Sequence, residues 1–435
     1  MKKFYNPFQS RRKPGTMESS NPLSFQRKLE SIINKIIFLL LLLTSANSVI
    51  PCTTAIISGK ITPDGRPLLW KNRDTDELFN NLIYVIGTKY SYIALVNSND
   101  KIAGQVWIGM NSAGFAIMNS VSYNIAPDDT TKLKDMEGII MREALEKCGS
   151  VDEFEKYLIM HSKPFGVATN FGVIDAFGNG AYFETSNYAY KKYDVNNTAD
   201  APDGYLLRTN FSVCGIPDKG SGYERFDIES ELFKYAFDNK NITPKFITQD
   251  AARCLKHSLT KVDLKDEFTN KPDVPKYVDF NDFIPRYSTS ATVVIQGVKR
   301  GESPLYSTMW TVLGFPLCSV VYPVWFNSDA LLPSILKAGT DGNSELCKLS
   351  LKLKEKVFSL PKGKIQNYIN INALYNGEGT GIMQKLRPIE DYIFLQTESL
   401  LKVSREENIF SSEIVVKYYN HLDDLIIQKM KSILN

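Results

Sequence analysis

The sequence predicts an α+β fold built from antiparallel sheets that are buried on both faces. Two observations carry this. The chain runs in blocks of strands, helices, strands and helices, without strict βαβ alternation. Segments such as TTAIIS (53–58) and ATVVIQG (291–297) are apolar on both faces, which calls for more than two layers.

The elements come in a clear order. From Cys52 to about residue 125, TTAIISGK, PLLWKNR, NLIYVIG, SYIALVN, QVWIGM and GFAIMNSV read as strands. They are short, β-branched or aromatic, and punctuated by Gly, Pro, Asp and Asn. Residues 136–159 switch to helical period, with Ser150 as an N-cap before a second helix. Strands return at TNFGVIDAFGNGAYFE, where Gly178-Asn179-Gly180 predicts a hairpin, and at GYLLRTNF. Helices are expected over about 223–240 and 248–256. A third strand group comprises SATVVIQG, STMWTVLG and SVVYPVW. From about 329 to the end the pattern is helical, through LLPSILK, ELCKLSLKLKEKVFSL and ENIFSSEIVVKYYNHLDDLIIQKM.

Composition narrows the function classes. With 43% hydrophobic and 23% charged residues, the chain is neither disordered, collagenous nor wholly coiled coil. Three histidines in 435 residues argue against a His-rich metal site or a His-driven relay. Six cysteines (Cys52, Cys148, Cys214, Cys254, Cys318, Cys347) are sparse, and no CxxC or Cys/His spacing suggests zinc. The net charge of +3 is uneven. Residues 1–51 hold eight Lys/Arg against two acids, or +6, which leaves −3 for the remainder. The basic character therefore belongs to the leader and points to no nucleic-acid partner.

That leader reads as a signal peptide with a short pro-segment over 1–51, ahead of one domain over 52–435. Cations precede the run IIFLLLLL (36–43), and Thr44-Ser45-Ala46-Asn47-Ser48 comes next. Eight apolar residues are too few to span a bilayer, which takes about 20. A basic region, a short apolar core and small residues fit secretory cleavage near Ala46 or Ser48. The expectation is a secreted or periplasmic protein with no membrane span after cleavage. Met17 is an alternative start, and an uncleaved signal anchor is the competing reading.

Cys52 stands directly before the first strand. Removal of the leader and of Val49-Ile50-Pro51 makes it the mature N-terminus. A free α-amine has a pKa of about 8, so it can serve as the base for the thiol of its own residue, without histidine. If Asp64-Gly65 is the centre of the next hairpin, Cys52 lies across from about residue 77, near Asp74 and Asp76. A carboxylate there could hold the α-ammonium, and Lys71 or Arg73 could favour the thiolate.

These residues carry a family resemblance. Cys-Thr-Thr, then Lys71-Asn72-Arg73-Asp74, Gly109-Met110-Asn111-Ser112-Ala113-Gly114-Phe115 with Asn119, Leu207-Arg208-Thr209-Asn210-Phe211 and Gly222-Tyr223-Glu224-Arg225-Phe226 occur in that order. The set resembles N-terminal-nucleophile hydrolases of linear amides. That group includes the choloylglycine hydrolases, the penicillin V acylases and the acyl-CoA:6-aminopenicillanic acid acyltransferases. The similarity spans roughly 52–325.

The resemblance implies a fold and a set of roles. The fold would be a four-layer αββα sandwich of two antiparallel sheets, with extra C-terminal helices over about 329–435. Cys52 would be the nucleophile, Asp74 the carboxylate holding its α-amine, Asn119 an oxyanion-hole asparagine, Asn210 a second active-site asparagine beside the amine and the oxyanion, and Arg225 the arginine ordering this network. The bile-salt members carry Arg-Asn-x-Asp where this chain has Lys71-Asn72-Arg73-Asp74, so either Lys71 or Arg73 takes the role of the cation near sulfur. Pro51 is an unusual residue for signal peptidase, so exposure of Cys52 would call for autoproteolysis. Asn210, Asn196 and Asn241 also begin glycosylation sequons.

The expected activity is hydrolysis of a small-molecule N-acyl amide through a thioester acyl-enzyme, with no cofactor and no metal. Acyl transfer to an amine, a related dipeptidase and a decayed binding protein are the alternatives. Trp107, Phe115, Tyr123, Phe165 and Phe211 are candidate pocket aromatics, though core packing explains most of them. A homo-oligomer is compatible with the resemblance.

Overall fold

The structure is a computed structural model that describes residues 52–100, 102 and 104–435. The expected signal peptide and pro-segment lie outside the described residues.

In chain order the strands are β1 (Thr53–Ile57), β2 (Leu68–Asp74), β3 (Asn80–Val85), β4 (Tyr92–Asn97), β5 (Ile108–Asn111) and β6 (Ala116–Val121). After helices α1 (Glu137–Lys147) and α2 (Val151–Met160) come β7 (Thr169–Ile174), β8 (Gly180–Thr185), β9 (Tyr190–Asp194) and β10 (Tyr205–Arg208). Helix α3 (Tyr223–Asp238) precedes β11 (Tyr277–Asp279), β12 (Thr289–Gln296), β13 (Thr308–Leu313) and β14 (Tyr322–Val324). The C-terminal part holds α4 (Glu345–Val357), β15 (Tyr368–Asn370), α5 (Ile382–Glu407) and α6 (Ser412–Leu434).

Two antiparallel sheets form the centre. One is a seven-stranded meander, β3 to β9 in order. The other is six-stranded, ordered β10-β1-β2-β12-β13-β14. Every residue of β1, β2, β12 and β13 is buried, as two-sided burial requires. The sheets pack face to face, with β1 and β2 against β6, β7 and β8.

Each outer face carries helices. On the meander, Ile140, Met141 and Leu145 of α1 and Phe154 of α2 join Phe171 and Phe183 in one apolar cluster. Ser150 caps α2 as expected, its hydroxyl accepting from Glu153 N at 3.1 Å. On the six-stranded sheet, Phe233 of α3 stacks on Trp70 of β2, and Phe394 of α5 stacks on Trp310 of β13. Each such side chain contributes roughly 1.5–3 kcal/mol by leaving water. The layers are therefore helix, sheet, sheet, helix, in agreement with the αββα expectation.

Three local expectations need correction. LLPSILK is not a helix. Pro333 disfavours helical geometry at Leu332, and Leu336 O instead accepts from Leu82 N on β3, while Asp423 takes Ser334 N. The helix expected over 248–256 is a π-turn at Ile247–Ala251, with irregular chain after it. A short strand, β15, interrupts the region expected to be helical from about 329 onward and pairs with β11. All six cysteines are free thiols, and all except Cys214 are buried.

Candidate active site

The site is organised by the ladder between β1 and β2. Thr53 pairs with Asn72 and Ile57 with Leu68. One further step sets Cys52 across from Arg73, not residue 77. The expected register fails because the connection runs from Ser58 to Pro67 and turns twice. Ile61 N donates to Ser58 O, and Gly65 N to Thr62 O, each at 3.2 Å. Asp64-Gly65 is a real turn, but it is not the centre of the hairpin.

Side chains alternate across a strand, and this divides the expected residues between two faces. Lys71 points into the gap between the sheets. Its ammonium donates to Asn119 Oδ1 on β6 at 2.7 Å and to Trp107 O at 3.1 Å. Thr54, opposite Lys71, accepts from the Tyr182 hydroxyl at 2.8 Å. By register, Cys52 and Arg73 share this face. Arg73 donates to Asn80 Oδ1 and to Asn97 Oδ1 and lies 4.7 Å from the centroid of the Trp107 ring. Lys71 thus bonds directly to another site residue, whereas Arg73 is tied to β3 and β4.

Thr53, Asn72 and Asp74 face the helices. Asn72 is structural: its amide donates to Ala252 O at 2.9 Å, and its oxygen accepts from Thr292 Oγ1 at 2.6 Å. Asp74 Oδ1 accepts from Thr289 Oγ1 at 2.5 Å, and Arg286 Nε stands 3.7 Å from Oδ2. Asp74 Oδ2 is buried and has no hydrogen-bond partner among the described residues.

Arg225 joins the two faces. It sits in the first turn of α3, fully buried, and donates to Cys52 O at 2.7 Å, Thr53 Oγ1 at 2.6 Å and Asn210 Oδ1 at 2.9 Å. Gly222, just before the helix, has φ +81°, and a Cβ there would collide with the guanidinium. Asn210 Nδ2 donates to Val121 O at 2.9 Å. Asn210 is wholly buried, which leaves no room for a glycan at that sequon. Both asparagines are therefore held the same way: a cation takes the amide oxygen, and the NH2 group is turned away from it. Asn119 Nδ2 donates to Thr169 Oγ1 at 3.2 Å. Each NH2 carries a second hydrogen.

Burial governs the charges. It pushes Asp74 up to about 6, against the pull of Arg286, Arg225 and the Thr289 hydroxyl. It drives Lys71 down to about 8, partly opposed by Cys52. Arg73 and Arg225 fall to about 10 for the same reason. Glu137, at the start of α1, is raised to about 7 by burial and interacts with Lys71.

Several residues at this site give no sequence signal. Thr289 and Arg286 stand more than 200 positions after Asp74, and only sheet pairing brings them beside it. Trp107, a candidate pocket aromatic, serves as the platform for Arg73. Phe115 and Phe165 are core residues, and Phe211 stacks on Tyr223 at 4.5 Å. Tyr123 N donates to Asn210 O at 3.2 Å. A groove of about 480 Å³ between α5 and α6, lined by Pro388, Tyr392 and Leu425, takes in none of the site residues.

Residues 61–263 match the family model described as acyl-coenzyme A:6-aminopenicillanic acid acyl-transferase. Asp74, Asn119, Asn210 and Arg225 fall inside the match, and Cys52 lies just before it. No curated protein matches the chain significantly in sequence. Among solved structures, a Caenorhabditis elegans ortholog of N-acylethanolamine-hydrolyzing acid amidase is 16% identical. The match covers 44% of this chain and 86% of that one, with a TM-score of 0.33. A conjugated bile acid hydrolase from Clostridium perfringens is 12% identical over 63% of this chain and 92% of its own, with a TM-score of 0.38. A penicillin V acylase from Agrobacterium tumefaciens is 13% identical over 63% and 86%, with a TM-score of 0.33.

Proposed function

Starting from a chain that resembles N-terminal-nucleophile hydrolases of the amidase and acyltransferase type, we propose that it is a secreted amidase with Cys52 as its nucleophile and a linear N-acyl amide as its substrate. The observation that carries this reading is the Arg225 guanidinium, which binds the Cys52 carbonyl and the Asn210 side chain together. Lys71, on the same face as Cys52, holds Asn119 in a matching way.

Loss of the chain through Pro51 frees the Cys52 α-amine. The amine takes the thiol proton, and the thiolate attacks the acyl carbon. The carbonyl electrons move to oxygen, and the oxyanion is received by the free N–H bonds of Asn119 and Asn210, each worth a few kcal/mol. The resulting ammonium returns its proton to the leaving nitrogen, and the C–N bond breaks to leave a thioester. Water, deprotonated by the same amine, releases the acid and regenerates the thiol. Asp74 Oδ2, which accepts no hydrogen bond among the described residues, is the acceptor for the ammonium in its charged phases. Lys71 supplies positive charge beside the sulfur anion. Secretion rests on the basic-apolar leader, and exposure of Cys52 past Pro51 is assigned to autoproteolysis by the same thiol.

Acyl transfer is the second reading, favoured by the description of the matching family model. It differs only in the last step, where an amine replaces water. Assay of products with and without an acceptor amine separates the two. The core proposal is tested by Cys52→Ala and Cys52→Ser on a panel of N-acyl amides. Cys52→Ala is expected to be inert and Cys52→Ser severely impaired. Undiminished turnover by Cys52→Ala ends the proposal.

A further inference from the structure

Asp74 is held by a short turn that lies beyond the segment matching the family model. Thr289 Oγ1 donates to Asp74 Oδ1, and the same oxygen accepts from Arg286 N at 2.9 Å. Thr289 N returns to Arg286 O at 2.9 Å and closes the turn. Ser288 O accepts from Thr75 N, also at 2.9 Å, and so ties the turn to the end of β2. Four consecutive residues thus define the surroundings of both carboxylate oxygens.

The middle of this turn is anchored from the outer helical layer. Lys354, on α4, is 4% exposed, and its ammonium donates to Tyr287 O at 2.5 Å. The same nitrogen lies 3.7 Å from the Tyr287 ring centroid, 5.4 Å from that of Phe315 and 5.7 Å from that of Phe358. Among the described residues no carboxylate forms an ion pair with it. An ammonium withdrawn from water is costly unless carbonyls and ring faces replace its hydration. Packing alone would be served better by Leu or Met in such a cage. Burial lowers the ammonium to about 8, with Cys318, Cys347 and Asp74 opposing.

We infer that Lys354 is a positioning residue for the proposed reaction: its ammonium pins the Tyr287 carbonyl, which fixes the 286–289 turn, and that turn aims Thr289 and Arg286 at Asp74. The inference rests on the reading of Asp74 as the partner of the Cys52 α-amine. It gives a C-terminal helix outside the family match a part in the chemistry. The charges that act on Asp74 are Arg286 on the turn, Arg225 on α3, Lys354 on α4 and, from the other face of its own strand, Lys71 and Arg73.

The test uses the mature full chain. Lys354→Met keeps the volume and removes the charge, Lys354→Arg keeps a donor, and Thr289→Val removes the hydroxyl on Asp74. Lys354→Met is expected to lower kcat about tenfold, the loss of one buried hydrogen bond, with KM within about twofold. The acid limb of kcat/KM should move up in pH as Asp74 loses support for its charged form. Amide hydrogen exchange over 286–289 should quicken about tenfold. In a Thr289→Val background, Lys354→Met should cost less than about twofold more, because both act through one turn. Lys354→Arg should recover most of kcat. Unchanged kcat, acid limb and exchange in Lys354→Met would overturn the inference, whatever its melting temperature. Should Lys354→Met not fold, Lys354→Gln, which also removes the charge, takes its place in the cycle with Thr289→Val, and full additivity between those two overturns the inference. A wild-type chain inert on every amide, with faster exchange in Lys354→Met, would sink the amidase reading and leave the clamp standing.

Discussion

Two buried carboxylates in this molecule are treated in opposite ways. Glu390 on α5 is closed. Its Oε1 accepts from Arg253 Nη2 at 2.7 Å and Val321 N at 2.8 Å, and its Oε2 from Arg253 Nη1 at 2.5 Å and Gln249 Nε2 at 3.3 Å. Asp74 on β2 is open, with one oxygen bonded by Thr289 and the other without a hydrogen bond among the described residues. Arg286 Nε stands 3.7 Å from Asp74 Oδ2 and other cations act on it from further away, yet none of them donates a hydrogen bond to it. A closed cluster spends its bonding capacity on holding the layers together. An open one keeps an acceptor in reserve for a group that takes a proton during a reaction.

Opening the closed cluster should have the largest effect. Arg253→Met strands Glu390 in the core and should cost about 3–5 kcal/mol of stability. Denaturant unfolding reads that cost, and the folded fraction should keep its turnover. Asp74→Asn should do the reverse. Turnover should fall by about 10²–10³, a loss of about 3–4 kcal/mol in transition-state stabilisation. Stability should hold or rise near neutral pH. The sign comes from the raised folded value of Asp74: its contribution is present below the unfolded carboxyl value and is lost as pH rises through about 6. Unfolding measured across that window should be flatter in Asp74→Asn than in the wild type.

A smaller effect probes the cation. Lys71 must stay charged to hold Asn119 and face the sulfur, and burial brings it down to about 8. Activity should therefore decline above that pH, and Lys71→Arg should carry the alkaline limb upward because a guanidinium keeps its proton. A pH–rate profile of the two proteins decides this. The mildest change is Thr169→Val, which releases Asn119 Nδ2 and should lower kcat about threefold to tenfold, with little change in KM.

Much of this was legible in the chain. Strand positions were readable because β-branched and aromatic runs are short and broken by Gly, Pro and Asn. The Ser150 cap was readable because its partners lie three residues away. Long-range geometry was not. The hairpin register missed by four residues because the Ser58–Pro67 connection folds on itself, and only the Ser58–Gly204 contact to the next strand reveals where β1 ends. LLPSILK has helical spacing, but an edge strand and a buried Asp423 claim its backbone. Cys52, Lys71, Asp74, Asn119, Asn210 and Arg225 could be named from ordered short motifs. The division of those residues between the two faces of β1 and β2 could not be read, because it depends on register. Thr289, Arg286 and Lys354 were invisible because they approach Asp74 only through the third strand group and a helix of the outer layer.

Everything proposed for the reaction depends on Cys52 carrying a free α-amine in the working protein. Intact mass and N-terminal sequencing of the purified mature chain read this without an assay. The expected chain begins Cys52-Thr53-Thr54. A fully active chain that retains Val49-Ile50-Pro51 ahead of Cys52 would contradict the proposal, because the amine assigned as the base would be locked in a peptide bond.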